Sequence, residues 1–172
     1  ARRIVYFPGS TIGNFSVLAA ARLMKRMRAL AAEDGAVLIG FDLVKPQNRI
    51  RAAYNDAAGV TARFNLNLLA RINAELGADF DPSTFRHDAP FNTEASRIEM
   101  HLVSRTSQEV RLSDNVVTFK AGEAIVTEYS HKYTLDAFAA LALSAGLAAT
   151  RTWTDSDELF CVQLLARAEP DQ

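Results

Sequence analysis

IVYFPGSTIGN, at residues 4–14, gives the clearest indication of how this chain folds. The apolar run Ile4–Phe7 predicts a buried strand that leads into the turn-forming residues 8–10. Residues 16–35 then show the spacing of an amphipathic helix. The continuous apolar run Ala36–Phe41 is typical of a strand that is buried on both faces. Strand, helix and strand in this order predict a right-handed crossover unit whose two strands are parallel neighbours in an α/β sheet.

The middle of the chain has a different pattern, which indicates an insertion at residues 46–133. Residues 49–58 and 61–76 predict two helices, and Asn65 is expected beside the apolar face of the second helix rather than on it. Residues 85–133 alternate between apolar and polar side chains, which predicts an antiparallel meander with one drier face. The apolar face of the second helix is expected to comprise Phe64, Leu68, Leu69, Ile72 and Leu76.

The last segment, residues 134–172, returns to the α/β pattern. A helix is followed by strands at 148–153 and 159–166, which a short polar connection joins. A short connection forces antiparallel pairing, and we expect the second strand to lie beside the Val37 strand. The predicted fold class is therefore α/β, with the sheet formed by residues 1–45 and 134–172 and interrupted by the insertion.

The composition narrows the functional class. The 172 residues carry a formal net charge of -1, which argues against a dedicated nucleic-acid or membrane-surface binder. The single cysteine, Cys161, lies in an apolar run and is expected to be a buried thiol, which fits a reducing compartment. Neither a membrane-spanning run nor a signal peptide is evident, so the sequence predicts a cytoplasmic protein. The chain begins just before a strand, which indicates either removal of an initiator Met or a piece of a longer protein.

The loop after the first strand is the first candidate site. It leaves the carboxyl end of a predicted sheet strand, where open α/β sheets bind ligands. Gly9 and Gly13 permit unusual backbone angles or close approach, and Asn14 offers both a donor and an acceptor. The alternative is an ordinary turn before a helix cap, which local chemistry alone favours. Neither a P-loop nor a dinucleotide-binding fingerprint matches the glycine spacing.

Glu128 and Ser130 form the second candidate. Residues two apart in a strand share a face, so these side chains point the same way, with Lys132. A carboxylate beside a hydroxyl could bind a nitrogen heterocycle through two hydrogen bonds. The commoner alternative is a solvated outer face of the meander.

The remaining polar residues suggest little chemistry by themselves. Tyr54 on its helix could equally cover the edge of the core, and Asp42 at a strand end could face a ligand or a turn. His87, His101 and His131 lack ligand-like spacing, so we expect surface or edge histidines and no metal site.

Several short motifs together resemble one family in their order and spacing. They are similar to those of the L-histidine Nα-methyltransferases, enzymes that use S-adenosylmethionine to trimethylate histidine in ergothioneine biosynthesis. The matching motifs are FPGSTIGN (7–14), AYND (53–56), GVT (59–61), FN (64–65), RIEM (97–100), TEYS (127–130) and WTD (153–155).

The resemblance implies roles for residues that contact the backbone half of a histidine substrate. Gly9, Thr11 and Asn14 would lie near its amino and carboxylate groups. Tyr54 would hydrogen-bond the carboxylate.

The resemblance also implies which residues contact the ring. Glu128 and Ser130 would hold the imidazole, and Phe64 and Met100 would line the pocket. The fold would be a class I (Rossmann-like) methyltransferase sheet with an inserted substrate-recognition domain at residues 46–133. S-adenosylmethionine would be the methyl donor, and the reaction would be a direct displacement in which the neutral amine attacks the sulfonium methyl group.

The sequence departs from the family pattern at the cofactor site. Family members carry, upstream of the matching region, a Gly-rich loop and an acidic residue that hold the cofactor, and this sequence contains neither. We therefore expect a C-terminal half that binds S-adenosylmethionine weakly or not at all on its own, with the Ile4 strand as an exposed apolar edge. No catalytic or cofactor-binding residue is assigned.

Two other functions stay open from the sequence. A related methyltransferase could act on another amino-acid acceptor, and such an enzyme would differ at Glu128 and Ser130. A non-catalytic α/β module could instead bind a partner.

Overall fold

The computed structural model describes residues 2–169 and divides the chain into two compact units. The first unit contains the chain up to Lys45, the short segment Thr93–Arg97 and the chain from Ser130 onward. The second unit contains Pro46–Asn92 and Ile98–Tyr129. Within residues 2–169, no helix is both long enough and apolar enough to pass through a lipid bilayer.

The chain forms a mixture of helices and strands, as the α/β prediction required. In chain order, the regular elements of the described residues are β1 (Ile4–Phe7), α1 (Val17–Ala31), β2 (Ala36–Asp42), α2 (Gln47–Tyr54), α3 (Val60–Leu76), β3 (Phe85–Asp88), β4 (Phe91–Asn92), β5 (Arg97–Ser104), β6 (Gln108–Leu112), β7 (Asn115–Phe119), β8 (Ala124–His131), α4 (Leu135–Ser144), β9 (Leu147–Thr154) and β10 (Phe160–Arg167).

The sheet of the first unit has the strand order β1-β2-β10-β9. Strands β1 and β2 are parallel, with Val5 opposite Val37, because α1 returns the chain to the same end of the sheet. Strand β10 is antiparallel to both β2 and β9. The parallel crossover, the C-terminal hairpin and the position of its second strand beside Val37 are therefore confirmed.

Strand β1 lies at one edge of this sheet. The side chains of Ile4 and Tyr6 are 60% and 68% exposed, although both are large and apolar or aromatic. An exposed apolar edge strand offers unpaired backbone groups to another chain. The expected exposed edge at the Ile4 strand is confirmed for the described residues.

Aromatic rings fill the core of the first unit beside β2. The ring of Phe41 stacks on Phe138 with a centroid distance of 3.6 Å, and Tyr133 packs edge-on against both rings. Cys161 is buried in the same cluster, and burial raises the pKa of its thiol to about 11. The predicted buried thiol is confirmed, and it is held in its protonated, unreactive form.

The hydroxyl of Tyr133 is buried without a hydrogen-bond partner among the described residues. Replacing Tyr133 with phenylalanine is therefore expected to leave the free energy of unfolding unchanged or to raise it by about 1 kcal/mol, because the variant no longer desolvates that hydroxyl. Urea denaturation at neutral pH measures this difference. A clear loss of stability in the variant would show that the hydroxyl makes a favourable contact.

The same variant tests a dependence on pH. Burial raises the pKa of Tyr133 from 10.0 to about 12, so the folded chain keeps this proton at a pH where the unfolded chain has lost it. The part of the folding stability that depends on the protonated Tyr133 phenol is fully present below pH 10.0. It is lost as the pH rises towards about 12. The stability of Tyr133→Phe should fall less over this interval than that of the wild type.

The second unit combines two helices with short antiparallel strands. In its larger sheet β5 lies between β3 and β4, and β8 also pairs with β5, while β6 and β7 form a separate two-stranded sheet. The alternating pattern at residues 85–133 correctly indicated antiparallel strands. The expectation of one continuous meander was wrong, because the strands are divided between two sheets.

The first helix of the insertion is shorter than the sequence predicted. Helix α2 ends at Tyr54 rather than at residue 58. The Asp56 carboxylate accepts hydrogen bonds from the backbone N–H groups of Thr61 and Val60, which start the next helix. These bonds hold the pKa of Asp56 at about 2. Residues 55–59 therefore form the connection that caps α3 instead of continuing α2.

The predicted apolar face of α3 was wrong at Phe64, Leu68 and Leu76 and right at Leu69. Phe64 is 69% exposed, whereas Asn65 is only 3% exposed. Leu69 is buried beside Asn65, and Leu68 and Leu76 are exposed. The helix therefore turns a different face inward from the one predicted. Asn65 can be buried because its side-chain amide has hydrogen-bond partners inside the unit, so no polar group is left unsatisfied.

Candidate functional site

A cleft of about 180 Å³ opens on the surface of the second unit. It contains three of the residues that the sequence predicted for the substrate site, namely Phe64, Met100 and Glu128. The full lining comprises Phe64, Asn65, Asn67, Leu68, Arg71, Met100, Thr127 and Glu128.

Three elements supply the chemistry of this cleft. Helix α3 contributes the exposed ring of Phe64, and β5 contributes the buried thioether of Met100. Strand β8 contributes Glu128, which is half-buried rather than solvent-facing. An aromatic ring and a thioether beside a carboxylate suit a flat, partly apolar ligand that carries an N–H donor.

Hydrogen bonds fix the side of the cleft formed by Asn65 and Thr127. The Thr127 hydroxyl lies 2.7 Å from the Asn65 side-chain oxygen and 3.1 Å from the carbonyl oxygen of Met100. This contact joins α3 to β8 next to Glu128. The sequence analysis assigned neither residue to the site, although an asparagine next to the apolar face of a helix was a signal for a buried polar contact.

The loop after β1 is held by its own unit. Ser10 donates its backbone N–H to the carbonyl oxygen of Gly40, and its hydroxyl accepts the N–H of Asp42. A Cβ on Gly13 would lie 2.8 Å from the carbonyl oxygen of His131, so this position requires glycine for a close approach between backbones. Gly13 thus allows a close approach of the His131 backbone, not of a ligand.

The other predicted residues of this loop are more open. Gly9 has a φ of +76° and is exposed, and a Cβ there would have no heavy atom within 4 Å. Thr11 and Asn14 begin and end a 3-10 turn and are both exposed. Their proposed contacts with the substrate stay predictions.

Ser130 belongs to the first unit and takes part in a buried charged network. Its hydroxyl accepts a hydrogen bond of 2.9 Å from the ammonium of Lys132, which pairs with Asp42 at 2.8 Å. Asp42 also pairs with Lys45 at 2.6 Å. The alternative of a solvated outer face is therefore wrong for Ser130, which is buried, and Asp42 has a structural role.

One of the three histidines differs from the expected surface or edge positions. His131 is buried, and its Nδ1 lies 2.8 Å from the carbonyl oxygen of Gly13, so the expectation was wrong there. His87 and His101 are half-buried. Tyr54 is also half-buried, at the last position of α2.

Sequence comparison identifies the family to which these motifs belong. The profile described as "Histidine-specific methyltransferase, SAM-dependent" matches residues 1–167. The chain belongs to this family. The resemblance that the short motifs indicated is confirmed.

Two curated relatives are both described as histidine N-alpha-methyltransferases. The protein of Mycolicibacterium smegmatis is 44% identical over 168 residues, which are 96% of this chain and 52% of the relative. The protein of Mycobacterium tuberculosis is 42% identical over the same shares of the two chains. The chain therefore spans about half the length of the curated relatives that it matches.

A solved structure supports the fold. A SAM-dependent methyltransferase from Clostridium acetobutylicum superposes with a TM-score of 0.51 at 8% sequence identity, over 96% of this chain and 58% of that one. At such low identity the likeness concerns the fold alone. It confirms the methyltransferase-type α/β architecture.

Proposed function

We propose that the protein transfers a methyl group from S-adenosylmethionine to the α-amino group of L-histidine. The observation that carries this proposal is the cleft in which the carboxylate of Glu128 lies with Phe64 and Met100. The family membership and the two relatives described as histidine N-alpha-methyltransferases support the reaction type and the acceptor.

The cleft has the chemistry that an imidazole requires. The ring of histidine is flat and can stack or pack edge-on against Phe64, while the polarisable sulfur of Met100 makes favourable contacts with aromatic rings. The Glu128 carboxylate can accept the ring N–H. We assign the second unit, Pro46–Asn92 and Ile98–Tyr129, to substrate recognition, because the cleft lies within it.

The reaction needs alignment more than acid–base chemistry. S-adenosylmethionine would supply an electrophilic methyl group: the neutral amine of the acceptor attacks the methyl carbon, the C–S bond breaks, and S-adenosylhomocysteine leaves with the electron pair of that bond. The residues of this chain bind the acceptor and orient its amine, which converts an encounter between two molecules into a step within one complex. The roles that the resemblance gives to Gly9, Thr11, Asn14 and Ser130 remain predictions, as does a cytoplasmic location.

Methyl transfer from labelled S-adenosylmethionine tests the proposal directly. The full gene product should methylate L-histidine in preference to L-tryptophan, L-phenylalanine and L-leucine. The position of the label on the α-amino group can be assigned by mass spectrometry of the product. Preference for another amino acid would favour a related methyltransferase, and transfer to none of them would contradict the proposed activity.

A further inference from the structure

We propose that His87 is a positioning residue that holds Tyr54 in place through a chain of hydrogen bonds whose direction is set by Asn65. The inference rests on the proposed function, in which Tyr54 binds the carboxylate of the acceptor. All the groups in this chain lie within the second unit.

The orientation of the Asn65 amide follows from one contact. Its side-chain nitrogen lies 3.1 Å from the carbonyl oxygen of His101, and a carbonyl oxygen can only accept. The amide oxygen therefore points the other way, where it accepts from the Thr127 hydroxyl at 2.7 Å. A flipped amide would place two oxygens against each other at His101, so the amide has one acceptable orientation.

This orientation determines the tautomer of His87. The Asn65 nitrogen also lies 3.0 Å from Nδ1 of His87, so Nδ1 must be the acceptor and carry no proton. In the neutral ring the proton then lies on Nε2. Nε2 is 2.8 Å from the carbonyl oxygen of Tyr54, to which it donates. Asn65 thus makes His87 a donor to Tyr54.

The acceptor of this bond is a helix end. Tyr54 is the last residue of α2, and the final carbonyl groups of a helix lack partners within the helix. The next residue is anchored too, because the Asn55 amide donates to the carbonyl oxygen of Ala89 at 3.1 Å and accepts the Ala89 N–H at 3.2 Å. His87 and Ala89 therefore hold two successive residues at the end of α2.

Tyr54 is linked to the cleft through Met100. Tyr54 packs against the hydrophobic cluster that includes Met100, and Met100 also lines the cleft with Glu128. A shift of the end of α2 would move the phenol relative to that sulfur. His87 does not line the cleft, so it acts through Tyr54 rather than on the acceptor.

Two replacements distinguish the hydrogen bond made by Nδ1 of His87 from the one made by Nε2. Glutamine places an amide near the position of Nε2 and can still donate to the Tyr54 carbonyl, whereas asparagine places its amide near Nδ1 and can reach only Asn65. His87→Asn should raise the KM for L-histidine about tenfold with kcat changed less than about twofold, and His87→Gln should largely restore the KM. Arg86→Gln, on the exposed side of the same strand, is the matched control.

A double mutant tests whether the effect passes through Tyr54. In a Tyr54→Phe background, which lacks the phenol hydroxyl, His87→Asn should change the KM less than about twofold further. The affinity for histamine, measured by inhibition, should be nearly unaffected by His87→Asn, because histamine has no carboxylate. Equal losses in His87→Asn and His87→Gln, or additive effects with Tyr54→Phe, would overturn the positioning role.

The tautomer can be measured without any activity. A long-range ¹H–¹⁵N NMR spectrum of the full gene product should show His87 with an unprotonated Nδ1 and a protonated Nε2. The opposite tautomer would overturn the proposal. So would an Asn65→Ala variant whose His87 signals are the same as those of the wild type. A wild type that fails to methylate histidine but shows the expected tautomer would contradict the proposed function alone.

Discussion

Replacing Glu128 with alanine is expected to lower kcat/KM for L-histidine by about ten- to a hundredfold. Glu128 is half-buried in the cleft that contains Phe64 and Met100. Removal of its carboxylate would leave the ring N–H of the bound acceptor without its charged partner. A charge-assisted hydrogen bond in a partly dry cleft contributes more than one in open water. Initial-rate measurements over a range of histidine concentrations give the loss directly.

Two comparisons show whether the loss concerns the imidazole. The kcat/KM for acceptors without a ring N–H, such as phenylalanine and leucine, should be unchanged in Glu128→Ala. The ratio of kcat/KM for histidine to that for these acceptors should therefore fall. Glu109→Ala removes an exposed carboxylate on β6, outside the cleft, and should behave as the wild type. Unchanged efficiency in Glu128→Ala would show that its carboxylate does not contact the acceptor.

The sheet of the first unit could be predicted because its signals are local. The continuous apolar run at Ala36–Phe41 is buried as expected of a strand covered on both faces. Ser16 and Thr134 cap α1 and α4 by accepting the N–H groups of Ala19 and Ala137, three residues further on. Short-range patterns of this kind can be recognised without knowledge of the tertiary structure, because the interacting groups are neighbours in the sequence.

The second unit was harder to predict because its polar partners are distant in sequence. Asn65 contacts His87, which is 22 residues away, and Thr127, which is 62 residues away. Helical periodicity counts asparagine as a surface residue, so it placed Phe64 in the core and Asn65 outside it. The partners that make burial of the amide favourable come from β3 and β8, and no pattern within α3 reveals them.

The candidate site shows the same division. Glu128 could be found from the period of a strand and from a family motif, and it lies in the cleft with two other predicted residues. The ammonium that contacts Ser130 was less evident. Lys132 shares the strand face of Ser130 by spacing, but its burial depends on Asp42 at the end of β2. The sequence gives no reason to pair those two charges before the sheet is assembled.

The network around Asp42 leads to the second large effect, on stability. The side chain of Lys132 is only 1% exposed and lies 2.8 Å from the Asp42 carboxylate. Replacing Asp42 with asparagine removes the counter-charge of a buried ammonium and also weakens the contact with Lys45. Such a loss costs about 3–5 kcal/mol of the free energy of unfolding. Urea denaturation at neutral pH measures it, since the slope with denaturant separates a change in stability from a change in the folded state.

The two partners of this pair should not be equivalent. Lys132→Met leaves the Asp42 carboxylate with Lys45 at 2.6 Å, so it should cost clearly less than Asp42→Asn. The double variant Asp42→Asn/Lys132→Met has no ammonium to desolvate at this position and should be more stable than Asp42→Asn alone. If Lys132→Met were as costly as Asp42→Asn, the main contribution of Lys132 would be its hydrogen bond to Ser130 and its packing, rather than its charge. The order of the three variants therefore decides whether the carboxylate of Asp42 is what makes a buried lysine tolerable beside Ser130.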